Sequence, residues 1–430
     1  MSFLLKIIKV LNVAFLLSFF SYPAMAEVNS GDTAWILTST ALVLFMTLPG
    51  LALFYCGLVN SKNVVSVLMQ HFALACVVSI IWVTIGYSLA FSTGNAWIGD
   101  LSNLFMKSIT LDSISGTIPE SLFASFQMTF AIITPALIIG AFVERIKFSA
   151  MLIFLSLWVI IVYLPVTHWV WGGGLLSSWG VMDFAGGIVV HATAGTAALV
   201  TALTLGKRRG FPKSITPPHS PILTMIGAAM LWVGWFGFNA GSALGANSSA
   251  GMAMLVTHIS AATAALVWMF IEWKRFGKPS LIGAVTGMVA GLATVTPASG
   301  YIGIPGGLIL GFFGGLLCYL AVDYIRGKLQ IDDSLDVFAV HGVGGILGSL
   351  LVAFLATSTF LGLGLPEGQT ASSQFIIQFK GVALTICWTA VFTYLILKLT
   401  SFIVPLRVEE EEEIEGLDLR SHGEKGYHSD

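Results

Sequence analysis

Apolar segments of about 20 residues, separated by short polar stretches, fill this chain from about residue 35 to residue 400. A helix of about 20 residues is long enough to cross the hydrocarbon core of a bilayer. We predict eleven such spans, at about 35–59, 64–92, 122–143, 148–166, 184–205, 220–240, 252–272, 280–297, 303–325, 337–357 and 374–400. The pattern therefore predicts an all-α membrane protein with eleven transmembrane helices.

The composition agrees with this prediction. Of the 430 residues, 56% are hydrophobic and 10% are charged, whereas an ordinary soluble domain carries roughly 25% charged residues. The formal net charge of -2 comes with no clustered basic face of the kind that binds nucleic acid. The four cysteines lie far apart in apolar segments, without metal-ligand or disulfide spacing, so we interpret them as packing residues.

Lysine and arginine are concentrated in alternate loops between the predicted spans. The odd-numbered loops carry Lys62, Arg145, Lys147, Lys207, Arg208, Arg209, Lys213, Lys274, Arg275, Lys278, Arg326 and Lys328. The even-numbered loops hold only Lys107. Because positive residues favour cytoplasmic loops, the odd loops are predicted to be cytoplasmic. The first span then begins outside, and the C-terminus after eleven spans lies inside.

Residues 1–26 have the pattern of a cleaved signal peptide. Lys6 and Lys9 make a basic start, residues 11–20 form a short apolar core, and Ala24-Met-Ala26 fits the small-residue cleavage site. The alternative is a first helix that stays in the membrane. We favour cleavage because the apolar run is short and Tyr22-Pro23 interrupts it. Cleavage would place the new N-terminus outside, in agreement with the charge pattern.

Two of the predicted spans, the fifth and the tenth, begin with similar sequences. One runs from Asp183 through Val190-His191 to Gly195, and the other from Asp336 through Val340-His341 to Gly345. Each closes a block of five spans. Since five is odd, the second block enters the membrane with the opposite orientation, which gives the inverted five-helix repeat of many transporters. The alternative is two unrelated histidines that each bond a backbone carbonyl.

An ionisable side chain inside a membrane helix is costly and by default indicates function. Apolar surroundings favour the neutral imidazole, which has one N–H donor and one acceptor nitrogen. If His191 and His341 met at the repeat interface, they could share a hydrogen bond or hold one proton between them. Such a path would suit a small polar solute that can lose its charge.

Both aspartates lie where a helix begins, so N-capping is the ordinary interpretation of each. For Asp336, beside a basic loop, we accept the cap. Asp183 lies at the predicted outer end of its span. There a capping acid would also raise the local affinity for cations.

Aromatic residues recur near the predicted outer face, at Phe126, Phe130, Trp169, Trp171, Trp235 and Phe238, with Ser242 close behind. A belt of interfacial aromatics is the ordinary explanation for such residues. Here they coincide with glycines and a serine at one depth. A cation over a tryptophan face gains roughly 0.5–2 kcal/mol, which suits a weakly held small cation or amine.

The C-terminal tail, residues 407–430, differs sharply from the rest of the chain. It opens with five consecutive acids, Glu409 to Glu413. By charge alone the tail is predicted to be solvated and disordered.

At this point the sequence resembles the ammonium transporter family (Amt/Mep/Rh), in particular its bacterial branch, over nearly the whole mature chain. The resemblance lies in Leu42-Val-Leu-Phe-Met-Thr-Leu-Pro-Gly50, Phe54-Tyr-Cys-Gly57, Asp183-Phe-Ala-Gly-Gly187 with His191, Gly234-Trp-Phe-Gly-Phe-Asn-Ala-Gly-Ser242 and Asp336-Val-Phe-Ala-Val-His341-Gly. It implies that residues 27–406 form one membrane domain, assembled as a homotrimer with one pore per subunit in a bacterial inner membrane.

The resemblance also implies roles for individual residues. Phe130, Trp171 and Ser242 would form an outer ammonium site that Asp183 supports. Phe126 and Phe238 would be a stacked phenyl gate below it, and His191, His341 and Trp235 would line the pore. The tail, through Glu415-Gly-Leu-Asp418 and Ser421-His-Gly-Glu424, would be a cytoplasmic regulatory element that binds a PII-type signalling protein.

We therefore expect an ammonium transporter or channel without cofactor or metal. It would bind ammonium outside, deprotonate it and conduct ammonia inward, with or without a relayed proton. The alternative is an ammonium sensor that signals through the tail with little flux. A channel for a neutral gas or water is disfavoured by the aromatic mouth. An enzyme is the least favoured class, since no nucleophile–base set appears.

Overall fold

The structure, a computed structural model, describes residues 27–428. The predicted signal peptide, residues 1–26, lies outside the described residues. Within them, ten helices are long and apolar enough to cross a membrane, and an eleventh apolar helix is shorter. In chain order they are α1 Ser30–Leu58, α2 Ser61–Phe91, α3 Glu120–Ile139, α4 Phe148–Ser178, α5 Gly187–Leu205, α6 Pro221–Gly241, α7 Ser248–Phe276, α8 Leu281–Val295, α9 Ile304–Lys328, α10 Phe338–Leu355 and α11 Ala371–Ile403.

Each predicted span corresponds to one of these helices, so the all-helical membrane class is confirmed. The count of eleven full spans stays a prediction, because α8 has 15 residues and a full crossing takes about 20. The largest difference in bounds is at the end of α4. There the helix breaks at residues 171–174, where three glycines follow Trp171, and a short turn then continues to Ser178.

The sequence specifies several helix starts through capping side chains. At the starts of α6, α7 and α8, the side chains of Ser220, Asn247 and Ser280 each accept a hydrogen bond from the backbone N–H three residues on. Thr370 begins α11 with a reciprocal capping box. Such side chains satisfy amide donors that the first turn of a helix leaves without partners.

Close packing among α7, α8 and α9 depends on glycines spaced by four. A Cβ added at Gly291 would lie 2.6 Å from the Cβ of Ala264, and one added at Gly311 would lie 2.6 Å from the carbonyl oxygen of Ser260. Since lipid gives helices no hydrophobic reason to associate, such close backbone approach provides the contact area.

The long loop at residues 93–121 contains the only strands among the described residues, β1 Ile114–Ser115 and β2 Ile118–Pro119. The two strands pair antiparallel. A backbone hydrogen bond from the Asn29 N–H to the Thr117 carbonyl, 2.9 Å long, attaches their turn to the start of α1.

The tail folds against the loops between helices, on the face of the bundle that we call the tail face. The N–H of Lys147 donates to the carbonyl of Leu406 at 2.9 Å, and the N–H of Val408 donates to the carbonyl of Arg145 at 3.0 Å. A short helix, α12 Glu410–Glu415, follows. The ammonium group of Lys62 donates to the carbonyls of Glu413 and Ile414.

The expectation of a disordered tail is therefore wrong for the described residues. Its charge pattern does not reveal the buried anchors, which are Val408, Leu417 and Asp418. The Asp418 carboxylate accepts a 2.7 Å hydrogen bond from the N–H of Ser66 and so caps the regular α-helical part of α2, which begins at Val64. An acid near a helix N-terminus gains both the hydrogen bond and the dipole interaction.

A buried ionic cluster joins three loops of the tail face. Arg145, fully buried, donates to the Asp332 carbonyl at 2.6 Å. Arg208 pairs with the carboxylates of Glu144 at 3.0 Å and Asp332 at 3.2 Å. Burial lowers the pKa of the Arg145 guanidinium to about 10, so it remains charged at neutral pH. A buried charge needs such partners, and the cluster therefore fixes the loops that carry the tail.

We expect Asp418→Ala to release the tail locally without unfolding the bundle. The substitution removes the acceptor for the Ser66 N–H, and losing a cap of this kind costs about 1 kcal/mol. Hydrogen exchange followed by mass spectrometry should show faster exchange in residues 416–423. Glu411→Ala, an exposed acid of the same tail, should leave exchange unchanged. Equal protection in both variants would contradict the anchoring role.

Candidate functional site

Three of the predicted site residues line one cavity at the face of the bundle opposite the tail face. Phe130 comes from α3, Trp171 from the break in α4, and Ser242 from the end of α6. The cavity has a volume of about 430 Å³, and we call it the aromatic cavity. Its other lining residues are Phe91, Ser115, Phe123, Gln127, Val170, Phe184 and Leu244.

The chemistry of the aromatic cavity suits a small cation that carries N–H groups. The rings of Phe130 and Trp171 stand edge to face, with centroids 5.6 Å apart, and aromatic faces attract cations. The Ser242 hydroxyl donates to the Phe238 carbonyl at 2.8 Å. Because its proton is used there, its oxygen is left as an acceptor.

Asp183 is not among the residues that line the aromatic cavity, but it bonds Trp171, which is one of them. Its carboxylate accepts four hydrogen bonds, 2.6–3.1 Å long, from the backbone N–H groups of residues 186–189. This is the N-cap that the sequence predicts for α5. Its backbone carbonyl accepts the Trp171 indole N–H at 3.0 Å. Asp183 thus connects the position of Trp171 to the start of α5, the helix that carries His191.

The phenyl ring nearest Phe238 comes from one turn further along α3 than Phe126. Phe238 lies against Phe130, with centroids 4.4 Å apart and planes tilted by 35°. Phe126 instead contacts Phe130 edge to face, with centroids 5.1 Å apart, and packs against Gly241. Phe130 is thus the ring found against Phe238, and a gate role for Phe126 stays a prediction. Phe126 and Phe130 lie one turn apart on the same face of α3, so the sequence alone does not show which of them contacts Phe238.

The two histidines meet in the middle of the bundle. The Nδ1 atoms of His191 and His341 are 3.3 Å apart, and their rings are nearly parallel, with centroids 5.2 Å apart. The His191 ring also stacks on Trp235 at 5.5 Å and lies 6.0 Å from Phe238. Its Nε2 has no hydrogen-bond partner among the described residues. One nitrogen of His191 thus faces its partner, and the other is available to a passing molecule.

The two histidine helices have matching local geometry. His191 lies in the π-helical turn Gly187–Ala192, and His341 lies in the π-helical turn Phe338–Gly342. π-helical turns also occur elsewhere in the chain, for example at Met46–Leu51 and Val159–Tyr163, so the match lies in the histidine being the last residue but one of each turn. Each is followed by 13 residues of regular α-helix.

The glycine four residues after each histidine marks where these helices cross. Gly195 packs on the backbone of Gly342. A Cβ at Gly345 would lie 2.5 Å from the Cβ of His191 and 2.7 Å from the carbonyl oxygen of Gly187. The repeated His-x-x-x-Gly spacing is thus the sequence signal of a reciprocal crossing.

The acid before the second histidine does not act as we expected. Asp336 pairs with Arg326 at 2.7 Å. The N–H of Phe338, in the first turn of α10, instead donates to the Asp333 carboxylate at 2.7 Å. The cap prediction for Asp336 is therefore wrong. Asp336 has a left-handed backbone, φ 58°, which turns the chain so that the earlier acid reaches the helix start.

A second cavity, of about 120 Å³, reaches His341 from the tail face, and we call it the tail-side cavity. Its wall includes Tyr55, Arg208 and Asp336, together with Ile215, Thr216 and Pro218. The aromatic cavity and the tail-side cavity therefore lie on opposite sides of the stacked rings and the histidine pair.

Sequence reasoning missed one residue that orients the Trp235 ring. The Trp235 indole N–H donates to the hydroxyl of Thr296 at 2.8 Å, which fixes the ring that stacks on His191. Thr296 immediately follows α8, in a segment rich in small residues. Nothing in that context sets it apart from the many buried threonines that bond their own helix.

Comparison with known proteins gives a consistent result. The model of the Ammonium Transporter Family matches residues 34–427. The ammonium transporter of Aquifex aeolicus is 46% identical over 415 residues, which are 95% of this chain and 96% of that protein. The ammonium transporter of Bacillus subtilis is 45% identical over 401 residues, 92% of this chain and 98% of that protein.

Solved structures share the fold. Candida albicans Mep2 superposes with a TM-score of 0.82 at 35% identity, over 90% of this chain and 88% of that one. A Sensor Amt Protein superposes with a TM-score of 0.84 at 29% identity, over 91% and 98%. With helices of membrane-spanning length and a family match over nearly the whole described chain, this protein belongs to the ammonium transporter family.

Proposed function

We propose that the aromatic cavity, the stacked phenyl rings, the two histidines and the tail-side cavity form one route for ammonium nitrogen. The observation that carries this proposal is the unbroken series of ring contacts along it. Trp171 touches Phe130, Phe130 touches Phe238, and Phe238 lies beside His191. His191 touches His341, which lines the tail-side cavity.

Ammonium is held in the aromatic cavity by the faces of Phe130 and Trp171 and by the Ser242 oxygen. It loses a proton there, because a bare charge in the apolar segment beyond the phenyl rings would cost several kcal/mol. Ammonia then passes the rings of Phe130 and Phe238 and can hydrogen-bond to the histidines. Potassium has no proton to lose, so the same route excludes it.

The proton either stays outside or passes through the histidine pair. A relay is physically supported by the 3.3 Å separation of the Nδ1 atoms. At that distance one imidazole can donate to the other, and the pair can hold one proton between them. The two cases differ in whether net transport moves charge.

The orientation follows from the basic loops and from the place of the tail. The tail face carries Lys62, Arg145 and Arg208, so by the positive-inside rule it faces the cytoplasm.

The matching histidine turns and the reciprocal glycine contacts support an inverted repeat of α1–α5 and α6–α10. His191 and His341 would then be related by its pseudo-twofold axis. We further propose assembly as a homotrimer in a bacterial inner membrane, with residues 1–26 as the cleaved leader.

The tail, residues 407–430, is proposed to be a regulatory element that a PII-type signalling protein engages from the cytoplasm. Loop residues 214–216 lie between the tail and the pore, because Thr216 lines the tail-side cavity and also faces Glu413 and Ile414 across a surface cavity. A partner that moved the tail would therefore change the wall of the inner mouth. The same contacts favour the alternative, an ammonium sensor that signals through the tail with little flux.

We expect Trp171→Ala to raise the half-saturation concentration for ammonium about tenfold, because a cation–π contact in a partly dry site is worth roughly 1–2 kcal/mol. Uptake into cells at low external ammonium measures it. Trp179→Ala, which removes a half-exposed tryptophan of the same face, should have no effect. Unchanged uptake by Trp171→Ala at low ammonium would exclude the aromatic cavity as the recognition site.

The histidine relay predicts that charge transport, if present, depends on His341. We expect His341→Leu to abolish the current that follows an ammonium jump in reconstituted vesicles, since leucine holds no proton. The wild-type current should be recorded with and without a proton shunt. A native current in His341→Leu would rule out the relay, and the absence of ammonium flux in the wild type would favour the sensor.

The crossing of α5 and α10 predicts that Gly345→Ala is far more damaging than an ordinary glycine substitution. Its Cβ would collide with His191 and the Gly187 carbonyl, and overpacking typically costs about 1–3 kcal/mol. We expect a several-fold lower maximal rate with the half-saturation concentration nearly unchanged. Gly251→Ala is the matched control, because its Cβ would meet open space. Equal rates in the two variants would contradict this role.

A further inference from the structure

Gln127 is a polar side chain of the aromatic cavity with no partner for its oxygen. It belongs to α3, immediately after Phe126, and lines the cavity. The residue is only 8% exposed, and its Oε1 accepts no hydrogen bond from the described residues. A buried acceptor without a partner is costly, which an apolar residue would avoid. Gln127 thus has an oxygen that no protein group uses, on a side chain that lines a cavity open to a solute.

Ammonium has more hydrogen-bond donors than the proposed site has ligands. The ion has four N–H groups and no acceptor. The aromatic cavity offers the ring faces of Phe130 and Trp171, together with the oxygen of Ser242. Those three groups leave one N–H without a protein partner.

We propose that Gln127 is the second oxygen ligand of the cation in the aromatic cavity and accepts this fourth N–H. The assignment rests on the proposed function and deepens it. The terminal torsion of a glutamine side chain is broad and roughly twofold, so its amide oxygen and nitrogen can exchange places by rotation. Since Oε1 has no protein partner, the oxygen turns toward the cation without losing a hydrogen bond.

The contribution of Gln127 is directional. An aromatic face attracts any small cation within reach, whereas an amide oxygen strengthens binding most for a cation whose N–H points at it. Ser242 and Gln127 together give the site two such acceptors on two different helices, α6 and α3. A cation held by both has fewer orientations than one held by ring faces alone.

The test uses two substitutions of Gln127 in the full-length protein, with uptake measured over a range of ammonium concentrations. Gln127→Met keeps the length of the side chain and removes the acceptor. We expect the half-saturation concentration to rise about tenfold, the scale of one hydrogen bond to a charged group, with the maximal rate retained. Gln127→Glu keeps an oxygen acceptor, so its half-saturation concentration should equal or fall below that of the wild type.

Two further variants distinguish a ligand role of Gln127 from a nonspecific effect on α3 and from failure of the whole aromatic site. Ser125→Ala removes a nearby hydroxyl that bonds its own helix at Ser121, and it should change nothing. If Trp171→Ala raises the half-saturation concentration and Gln127→Met does not, Gln127 is no ligand while the aromatic site stands. If neither variant raises it, the site itself is wrong. A lower maximal rate at constant half-saturation in both Gln127 variants would show a purely structural residue and overturn the proposal.

Discussion

The close crossing of α5 and α10 is the contact on which the centre of this protein depends. Gly195 packs on Gly342, and Gly345 packs on His191. Because lipid supplies no hydrophobic force between helices, backbones must approach closely to gain packing energy, and any side chain at these glycines would separate them. The approach also places the His191 and His341 rings in contact. The packing of the fold and the proposed chemistry of its centre therefore share one contact.

The rest of the route follows from how each polar group finds a partner in an apolar interior. The Asp183 carboxylate caps α5, and its carbonyl holds the Trp171 indole. Thr296 holds the indole of Trp235. Once these groups are satisfied, few polar atoms along the route stay available to a solute. Those identified are the Ser242 oxygen, Gln127 Oε1 and His191 Nε2. Under the proposed function, a route with so few ligands favours a solute that enters as a cation and continues as a neutral molecule.

The tail shows how a strongly charged segment can still fold. Its acids fall into two groups. Glu410 and Glu411 face solvent, whereas Glu413 pairs with Arg407 and Asp418 caps α2. The anchors bind backbone groups and cations that the loops between helices supply. Charge density therefore does not decide the order of this segment, because order depends on partners far away in the sequence.

The sequence by itself determined the helical membrane class and, within a few residues, most helix bounds, because an apolar run of fixed length has few stable solutions in lipid. The paired His-x-x-x-Gly pattern also marked the two central helices. Tertiary structure decided which phenyl ring lies against Phe238, whether Asp333 or Asp336 caps α10, and whether the tail is ordered. Neighbours on one helix face, such as Phe126 and Phe130, are equivalent in a periodic pattern. They differ only through contacts with helices that lie far away in the sequence, and those contacts exist only in the folded chain.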